Sequence, residues 1–342
     1  MKLNEINKIL IIKPSSLGDI IHSLPTLVEL RKLYPESYIA WVIFTHFAEI
    51  LYGNQYLNEI ILWNRYSGPI EFINMMKYIR DKHFDLVIDL QGLARTALIS
   101  FYSGAKYKLG VPGLKELSYL FIKEVGPYSK SQHAIERNLT IIRFLGYEPN
   151  SKLFPINISP GDEQYAKSFL SKNRYNFKKN LVGISPSAGI KQKMWEPEKF
   201  ASIANKLIET YDCYIIIFGT EKDINIAEKI IELIRNKNNV INAVNKTSLK
   251  QLCALIKFCS IFIGNDTGPL HIAAALNVPT IGLYGPSNPE QLGPYNKNST
   301  FIWKKLECSP CGTKPNCKNN ICMKQITVEE VYEKIKNISH WT

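Results

Sequence analysis

The strongest constraint on this chain is a rhythm. Short runs of β-branched and apolar residues alternate with stretches of helical periodicity, and the alternation occurs twice. In the first half, Lys8–Lys13 (KILIIK), Tyr38–Ile43, Glu59–Trp63 and Phe84–Leu90 (FDLVIDL) predict strands. Between them, Ile20, Ile21, Leu24, Leu27 and Val28 recur at helical spacing, as do Ile70–Lys82, Arg95–Tyr102 and Ser131–Leu145. Pro25 is expected either to kink its helix or to start the main body with Ser23 as cap. In the second half, strands are expected at Asn180–Ile184, Tyr214–Phe218, Ile261–Gly264 and Pro279–Tyr284. Helices are expected at Pro197–Tyr211, from about Asp223, and at Ser248–Phe258, Pro269–Leu276 and Val328–Ile338. Strands separated by helices imply parallel sheets covered on both faces. Two such sets make an α/β chain of two doubly wound domains. The join falls near 150–179, where the periodicity lapses and Pro155, Pro160 and Gly161 punctuate the chain. The expected domains are 1–158 and 159–342, the last helix (328–338) being a candidate to pack back on the first.

Length agrees, since 342 residues suit two domains of about 100–200 each. Charge narrows the partners. Forty-two Lys and Arg against thirty Asp and Glu give +12, which favours an acidic partner such as nucleic acid, an anionic membrane or a phosphorylated substrate. The charge is dispersed, with no basic arm and no basic cluster interleaved with aromatics, which argues against nucleic acid. Ile9–Ile12 is too short for a signal-peptide core, and no apolar run reaches the length of a transmembrane helix. A cytoplasmic, reduced protein is therefore expected. Of seven cysteines, Cys213, Cys253 and Cys259 sit in apolar patterns and read as core. Cys308, Cys311, Cys317 and Cys322 crowd together; they could in principle enclose zinc, the alternative being a reduced loop without metal.

In open α/β sheets, ligands sit outside the carboxyl ends of strands, and three such segments carry chemistry. Pro14-Ser15-Ser16-Leu17-Gly18-Asp19 follows the first strand. It lacks the G-x-G-x-x-G of a dinucleotide site. Gly18 suits a tight turn, and Asp19 is either a first-turn charge or a carboxylate able to take a proton from a substrate hydroxyl. Ser185-Pro186-Ser187-Ala188-Gly189 and then Lys193-Met194-Trp195 join small residues to a cation, which suits a diphosphate. Gly264-Asn265-Asp266-Thr267-Gly268 lies between a strand and a helix start, where backbone N–H groups cradle phosphate and Asp266 is available for sugar hydroxyls.

Taken in order, Lys13-Pro14-Ser15-Ser16-Leu17-Gly18-Asp19, Lys193-x-Trp195, Phe218-Gly219-Thr220-Glu221 and Asp266-Thr267-Gly268-Pro269-Leu270-His271 resemble glycosyltransferase family 9, the ADP-heptose:lipopolysaccharide heptosyltransferases. Asp89-Leu90-Gln91-Gly92-Leu93 and Gln132-His133-Ala134-Ile135-Glu136-Arg137 are more similar to heptosyltransferase I than to II. The resemblance spans nearly the whole chain. It implies a glycosyltransferase-B fold: two Rossmann-like domains with a central cleft, the first binding acceptor and the second ADP-sugar. It implies an inverting transfer of L-glycero-D-manno-heptose from ADP-heptose to Kdo of Kdo-lipid A, an acidic acceptor at the inner membrane, by a peripheral enzyme on the cytoplasmic face. No cofactor is required.

The resemblance makes Asp19 the catalytic base. Lys193, Glu221, Asp266, Thr267, Gly268 and His271 fall on donor-binding positions, and Ser16, Gly18, Arg65, Arg95 and Arg137 are expected to meet the acceptor. Ser187-Ala188-Gly189 departs from the family's Thr-rich stretch. The chemistry is consistent: one displacement at the anomeric carbon needs one base and charge stabilisation of the leaving ADP. A lysine and a helix N-terminus supply the latter without metal, and the chain has no Asp-x-Asp motif of the metal-dependent type. The alternatives are a heptosyltransferase II-like step, another ADP-sugar transfer, or a non-catalytic nucleotide-sugar-binding protein.

Overall fold

A computed structural model of the chain describes residues 3, 5–127, 129, 131–312 and 317–338. It divides into two compact units, Met1–Asn157 and Ile158–Thr342. The first contains β1 (Lys8–Ile12), α1 (Leu17–Leu33), β2 (Tyr38–Phe44), β3 (Glu59–Trp63), α2 (Pro69–Asp81), β4 (Leu86–Asp89), α3 (Ala94–Tyr102), β5 (Tyr107–Gly110), β6 (Lys123–Glu124) and α4 (Ala134–Phe144). The second contains α5 (Pro160–Lys172), β7 (Leu181–Ser185), α6 (Pro197–Tyr211), β8 (Tyr214–Ile217), α7 (Ile224–Leu233), β9 (Val240–Asn242), α8 (Leu249–Lys257), β10 (Ile261–Asn265), α9 (Gly268–Ala275), β11 (Thr280–Tyr284), α10 (Pro289–Leu292), β12 (Ser299–Trp303), α11 (Ile321–Lys324) and α12 (Val328–Ile338).

Each unit is built on a six-stranded sheet, in the order β3-β2-β1-β4-β5-β6 in the first and β12-β11-β10-β7-β8-β9 in the second. Every pairing is parallel. Central strands such as β4, β7, β10 and β11 are buried along their whole length, because helices cover both faces and side chains of either parity meet apolar neighbours. The strand order reverses between β1 and β4 in one sheet and between β7 and β10 in the other. At such a switch point the two flanking loops diverge and leave a crevice.

Three local expectations are corrected. Pro25 does not start the main body of a helix: α1 begins at Leu17 and runs through it, and its neighbours Leu24 and Thr26 are fully buried. Packing outweighs the roughly 3 kcal/mol that an internal proline costs. Pro160 and Gly161 are not linker punctuation but the first turn of α5. Ser159 caps that helix, its hydroxyl accepting from Asp162 N at 3.2 Å while its own N–H donates to Asp162 Oδ2 at 3.0 Å. At the first helical position the missing N–H of proline removes no bond. Finally, α12 packs within the second unit. Val331 and Ile335 are buried in that core with Ile326 and Phe200, and Glu329 pairs with Lys206 of α6.

Candidate active site

At the first switch point, the chain leaves β1 at Lys13 and enters α1 at Leu17. Ser16 stands just before the helix, and both its N–H and its hydroxyl donate to Asp19 Oδ2, at 3.1 and 2.8 Å. Asp19 is thus fixed by the helix start. Gly18 lies in the first turn of α1 and is not among the glycines at positive φ, so the tight turn expected of it does not occur. Burial works to raise the Asp19 carboxyl. The Lys13 ammonium, the Ser16 hydrogen bonds and His22 outweigh it and hold the pKa at about 2. Lys13 itself is buried, 5% exposed, and its Nζ donates to Leu90 O at 3.1 Å. Burial pulls the Lys13 pKa down, Arg137 adds to this, and Asp19 and Asp89 oppose it.

Asp89, the last residue of β4, faces the same crevice from the other side of the switch. It is fully buried; its Oδ1 accepts from the N–H groups of Gln91 and Gly92 at 2.8 and 2.9 Å, while Oδ2 has no hydrogen-bond partner. Burial pushes its pKa up. From α4, Asn138 Nδ2 donates to His22 O and Ser23 Oγ at 3.2 and 3.1 Å. This packs α4 on α1 and sets Arg137 near Lys13, with its Nε buried and unpartnered. Arg65 and Arg95 stand over the carboxyl ends of β2 and β3, where β2 joins the turn after β1, Phe44 N donating to Pro14 O at 3.2 Å. Phe44 and Trp63, which end β2 and β3, form an edge-on pair with centroids 4.9 Å apart. Arg65 lies over Phe44 and Arg95 over Trp63, each at 5.9 Å. Of the five residues expected to meet acceptor, Ser16, Gly18 and Arg137 therefore gather around Asp19, and the other two form a cationic pair on aromatics.

At the second switch point, close approach is built in. A Cβ on Gly264 of β10 would meet Ser185 O of β7 at 3.2 Å. Asn265 Oδ1 accepts from Trp195 N at 3.0 Å and its Nδ2 donates to Pro186 O at 2.7 Å, joining the two loops. The Trp195 ring is buried, its Nε1 donating to Ile326 O at 3.0 Å. This anchor explains the Lys-x-Trp spacing: with the tryptophan sunk, Lys193 is held over the crevice, where its Nζ meets Asp266 Oδ2 at 2.5 Å. His271 Nε2 lies 3.3 Å from Asp266 Oδ1. Burial tends to raise the Asp266 carboxyl, but His271 and Lys193 overcome it and hold the pKa well below the usual carboxylate range. Burial, with Asp266 nearby, pushes the Tyr284 phenol far up. Thr267 precedes α9, and Gly268 opens it. Glu221 is exposed at the start of the turn after β8, and no hydrogen bond or ion pair joins it to Lys193 or Asp266.

The metal possibility at the four cysteines finds no support in the geometry. Among the described residues, no three His, Cys, Asp or Glu side chains form a group that could hold a metal ion. Cys308 is exposed, while Cys322 is sunk in the second core, where a Cβ on Gly285 would meet its Sγ at 2.7 Å. All seven thiols are free.

With both crevices described, the relatives can be placed. The family model for Glycosyltransferase family 9 (heptosyltransferase) matches residues 72–321. The chain belongs to this family. It is accordingly a transferase. The family 9 chain is 26% identical to the lipopolysaccharide core heptosyltransferase OpsX of Haemophilus influenzae, over 96% of both chains. Relatives named as heptosyltransferase 1 and as heptosyltransferase 2 match at 25–28% identity. Among solved structures, a family 9 glycosyltransferase from Veillonella parvula superposes with a TM-score of 0.85 at 24% identity, covering 99% of this chain and 98% of that one. The E. coli heptosyltransferase WaaC with ADP gives 0.76 at 24% identity, covering 97% and 100%. These likenesses show the glycosyltransferase-B fold.

The sequence singled out Asp19, Lys193, Asp266 and His271 but assigned no role to Lys13, His22, Asp89 or Tyr284. Lys13 and Asp89 end strands that read as wholly buried. A charge closing such a run is the signal that points to a switch-point group.

Proposed function

We propose that this chain transfers L-glycero-D-manno-heptose from ADP-heptose to a Kdo residue of Kdo-lipid A, with inversion. One observation carries the reading: each switch point of this family 9 chain holds a charge-tuned cluster, and the two clusters have the complementary chemistry that the transfer needs. The acceptor hydroxyl oxygen attacks the anomeric carbon, its proton passes to Asp19, and the bond to the ADP phosphate breaks. Asp19 with a pKa of about 2 is ionised at any working pH. It is a weak base towards a resting hydroxyl, so it takes the proton only as the attacking oxygen becomes acidic in the transition state.

On leaving, ADP gains negative charge. Lys193 and the N–H groups that open α9 beside Thr267 and Gly268 supply the stabilisation. His271 and Lys193 hold Asp266 ionised, ready to accept from heptose hydroxyls, and Glu221 takes the nucleoside hydroxyls. Arg137, Arg65 and Arg95, with Ser16 and Gly18, meet the acidic acceptor. Relatives numbered 1 and 2 match about equally, so the heptosyltransferase II-like step is the second reading; it places a heptose rather than Kdo under the base. A transfer assay with ADP-heptose, defined Kdo-lipid A and its heptosylated product, followed by linkage analysis, tests both. Heptose on Kdo supports the first reading, heptose on heptose the second. No transfer to either acceptor overturns both.

A further inference from the structure

The first sheet ends at β5 and β6, and beside that edge the surface changes character. Leu98 and Phe101 on α3 are exposed, as are Leu117, Tyr119, Leu120 and Phe121 in the segment leading to β6. These are six of the eighteen large apolar side chains exposed among the described residues, all from 98–121. Singly scattered exposed apolar residues need no explanation, but a contiguous set does. Phe101 and Phe121, with ring centroids 5.2 Å apart, join the helix to the following segment as one face. A groove of about 540 Å³ runs through it, lined by Tyr107, Tyr119 and Phe121 and by Lys106, Lys108 and Lys123.

Charge decides what such a face can meet. Lys106, Lys108, Lys115 and Lys123 take part in no ion pair among the described residues. The two acids nearby in sequence are turned to backbone instead: Glu116 accepts from Ala94 N at 3.2 Å and Glu124 from Gly113 N at 3.0 Å. Glu116 and Leu117 both lie at positive φ, 54° and 60°, a region that non-glycine residues seldom occupy. A second copy of the chain is a poor occupant, because a two-fold contact would set each lysine cluster against its twin. Lys108 Nζ donates to Ala105 O at 2.7 Å, and Lys106 and Lys123 lie over Tyr107 and Phe144, so no carboxylate among the described residues neutralises them. Apolar side chains among such lysines match the boundary of an anionic bilayer, where rings and leucines enter the acyl margin and ammonium groups lie at phosphate depth.

We propose that this face, built from α3, the 117–121 segment and the β5–β6 edge, seats the first unit on an anionic lipid surface. The inference rests on the reading above that the acceptor is lipid-borne, and it names the surface that reaches it. Among the described residues no helix is long and apolar enough to cross a membrane.

Flotation with vesicles of phosphatidylglycerol and phosphatidylethanolamine, beside phosphatidylcholine alone, tests it. The wild type should float with the anionic vesicles only, and less as salt rises. Each lysine near such a surface is worth about five-fold, so Lys106→Gln/Lys115→Gln/Lys123→Gln should lose about 100-fold in partitioning. Leu120→Ser/Phe121→Ser should also lose binding, whereas Lys167→Gln/Lys178→Gln/Lys237→Gln on the second unit should keep it. Failure of the wild type to float overturns the proposal. So does equal loss in the two lysine triples, which would mean net charge alone. So does a dimer that Leu120→Ser/Phe121→Ser converts to monomer with flotation unchanged. An intact ADP-induced melting shift in each variant reports its fold. If flotation depends on the face while no heptose reaches a lipid-free Kdo acceptor, the transfer reading fails and the docking face stands.

Discussion

The two units share one strand order and reverse one electrostatic choice. In the first, the cation is inside: Lys13 is buried under the crevice, and the carboxylate it acts on, Asp19, stands at a helix start nearer solvent. In the second, the anion is inside: the Asp266 side chain is 8% exposed, and the Lys193 over it is 20% exposed. The same fold therefore offers a carboxylate on one side and an ammonium on the other. In each pair the buried member is held by its counter-charge, since a buried charge left without one is strongly destabilising.

The sharpest way to break this contrast is Asp19→Asn. The amide keeps the size and most hydrogen bonds but takes no proton, so turnover should fall by about 10²–10⁴-fold with ADP affinity nearly unchanged. Steady-state rates and ADP titration on one preparation decide it; near-normal turnover in a folded variant would make Asp19 a helix-start residue only.

Next in size is Lys193→Ala. A charge-assisted contact to diphosphate should cost on the order of 1.5–3 kcal/mol in donor binding. The same change leaves Asp266 buried without its closest cation, so Lys193→Ala should also unfold more easily than the double variant with Asp266→Ala. Calorimetry with ADP and denaturant melts measure the two effects separately; equal melts would show that the pair is not coupled.

Acid should reveal what the depressed carboxyl contributes. Asp19 is held at about 2, against an ordinary value near 4. A depressed carboxyl adds stability that is complete above the unfolded value and is lost as pH falls through the folded one. Wild type should exceed Asp19→Asn by about 1–2 kcal/mol at neutral pH, and the margin should shrink between about pH 4 and pH 2. A margin independent of pH would mean that the charge contributes nothing.

The smallest effects concern the aromatic-backed arginines. Arg65→Gln and Arg95→Gln should each raise the acceptor KM by up to about five-fold, the size of one exposed ionic contact, without changing ADP binding. An unchanged KM for both would remove that pair from the acceptor surface.

Legibility in the sequence followed burial. Strands at the centre of each sheet are apolar on both faces and could be read as unbroken runs. The outer strands other than β3 could not: β5 (YKLG), β6 (KE), β9 (VIN) and β12 (STFIW) are short or half-polar, and at the edges β6, β9 and β12 one side lacks a neighbouring strand and needs no apolar cover. The helix α5 was hidden for another reason. Its start signal, Ser159 with Asp162 and Pro160 between them, begins with two residues that elsewhere break helices.

The sequence by itself determined the alternation of strand and helix, hence two parallel sheets, and it placed Asp19, Lys193 and the Asp266 segment just beyond strand ends. Those are local matters, governed by side-chain period and by backbone conformations within a few residues. Only the tertiary structure decided which charges pair and which are buried. Lys13 is buried within the fields of Asp19, Asp89 and Arg137, and Lys193 pairs with Asp266, 73 residues away in the chain. Coulomb attraction and desolvation depend on distance and exposure in space, and neither is written in the order of residues along the chain.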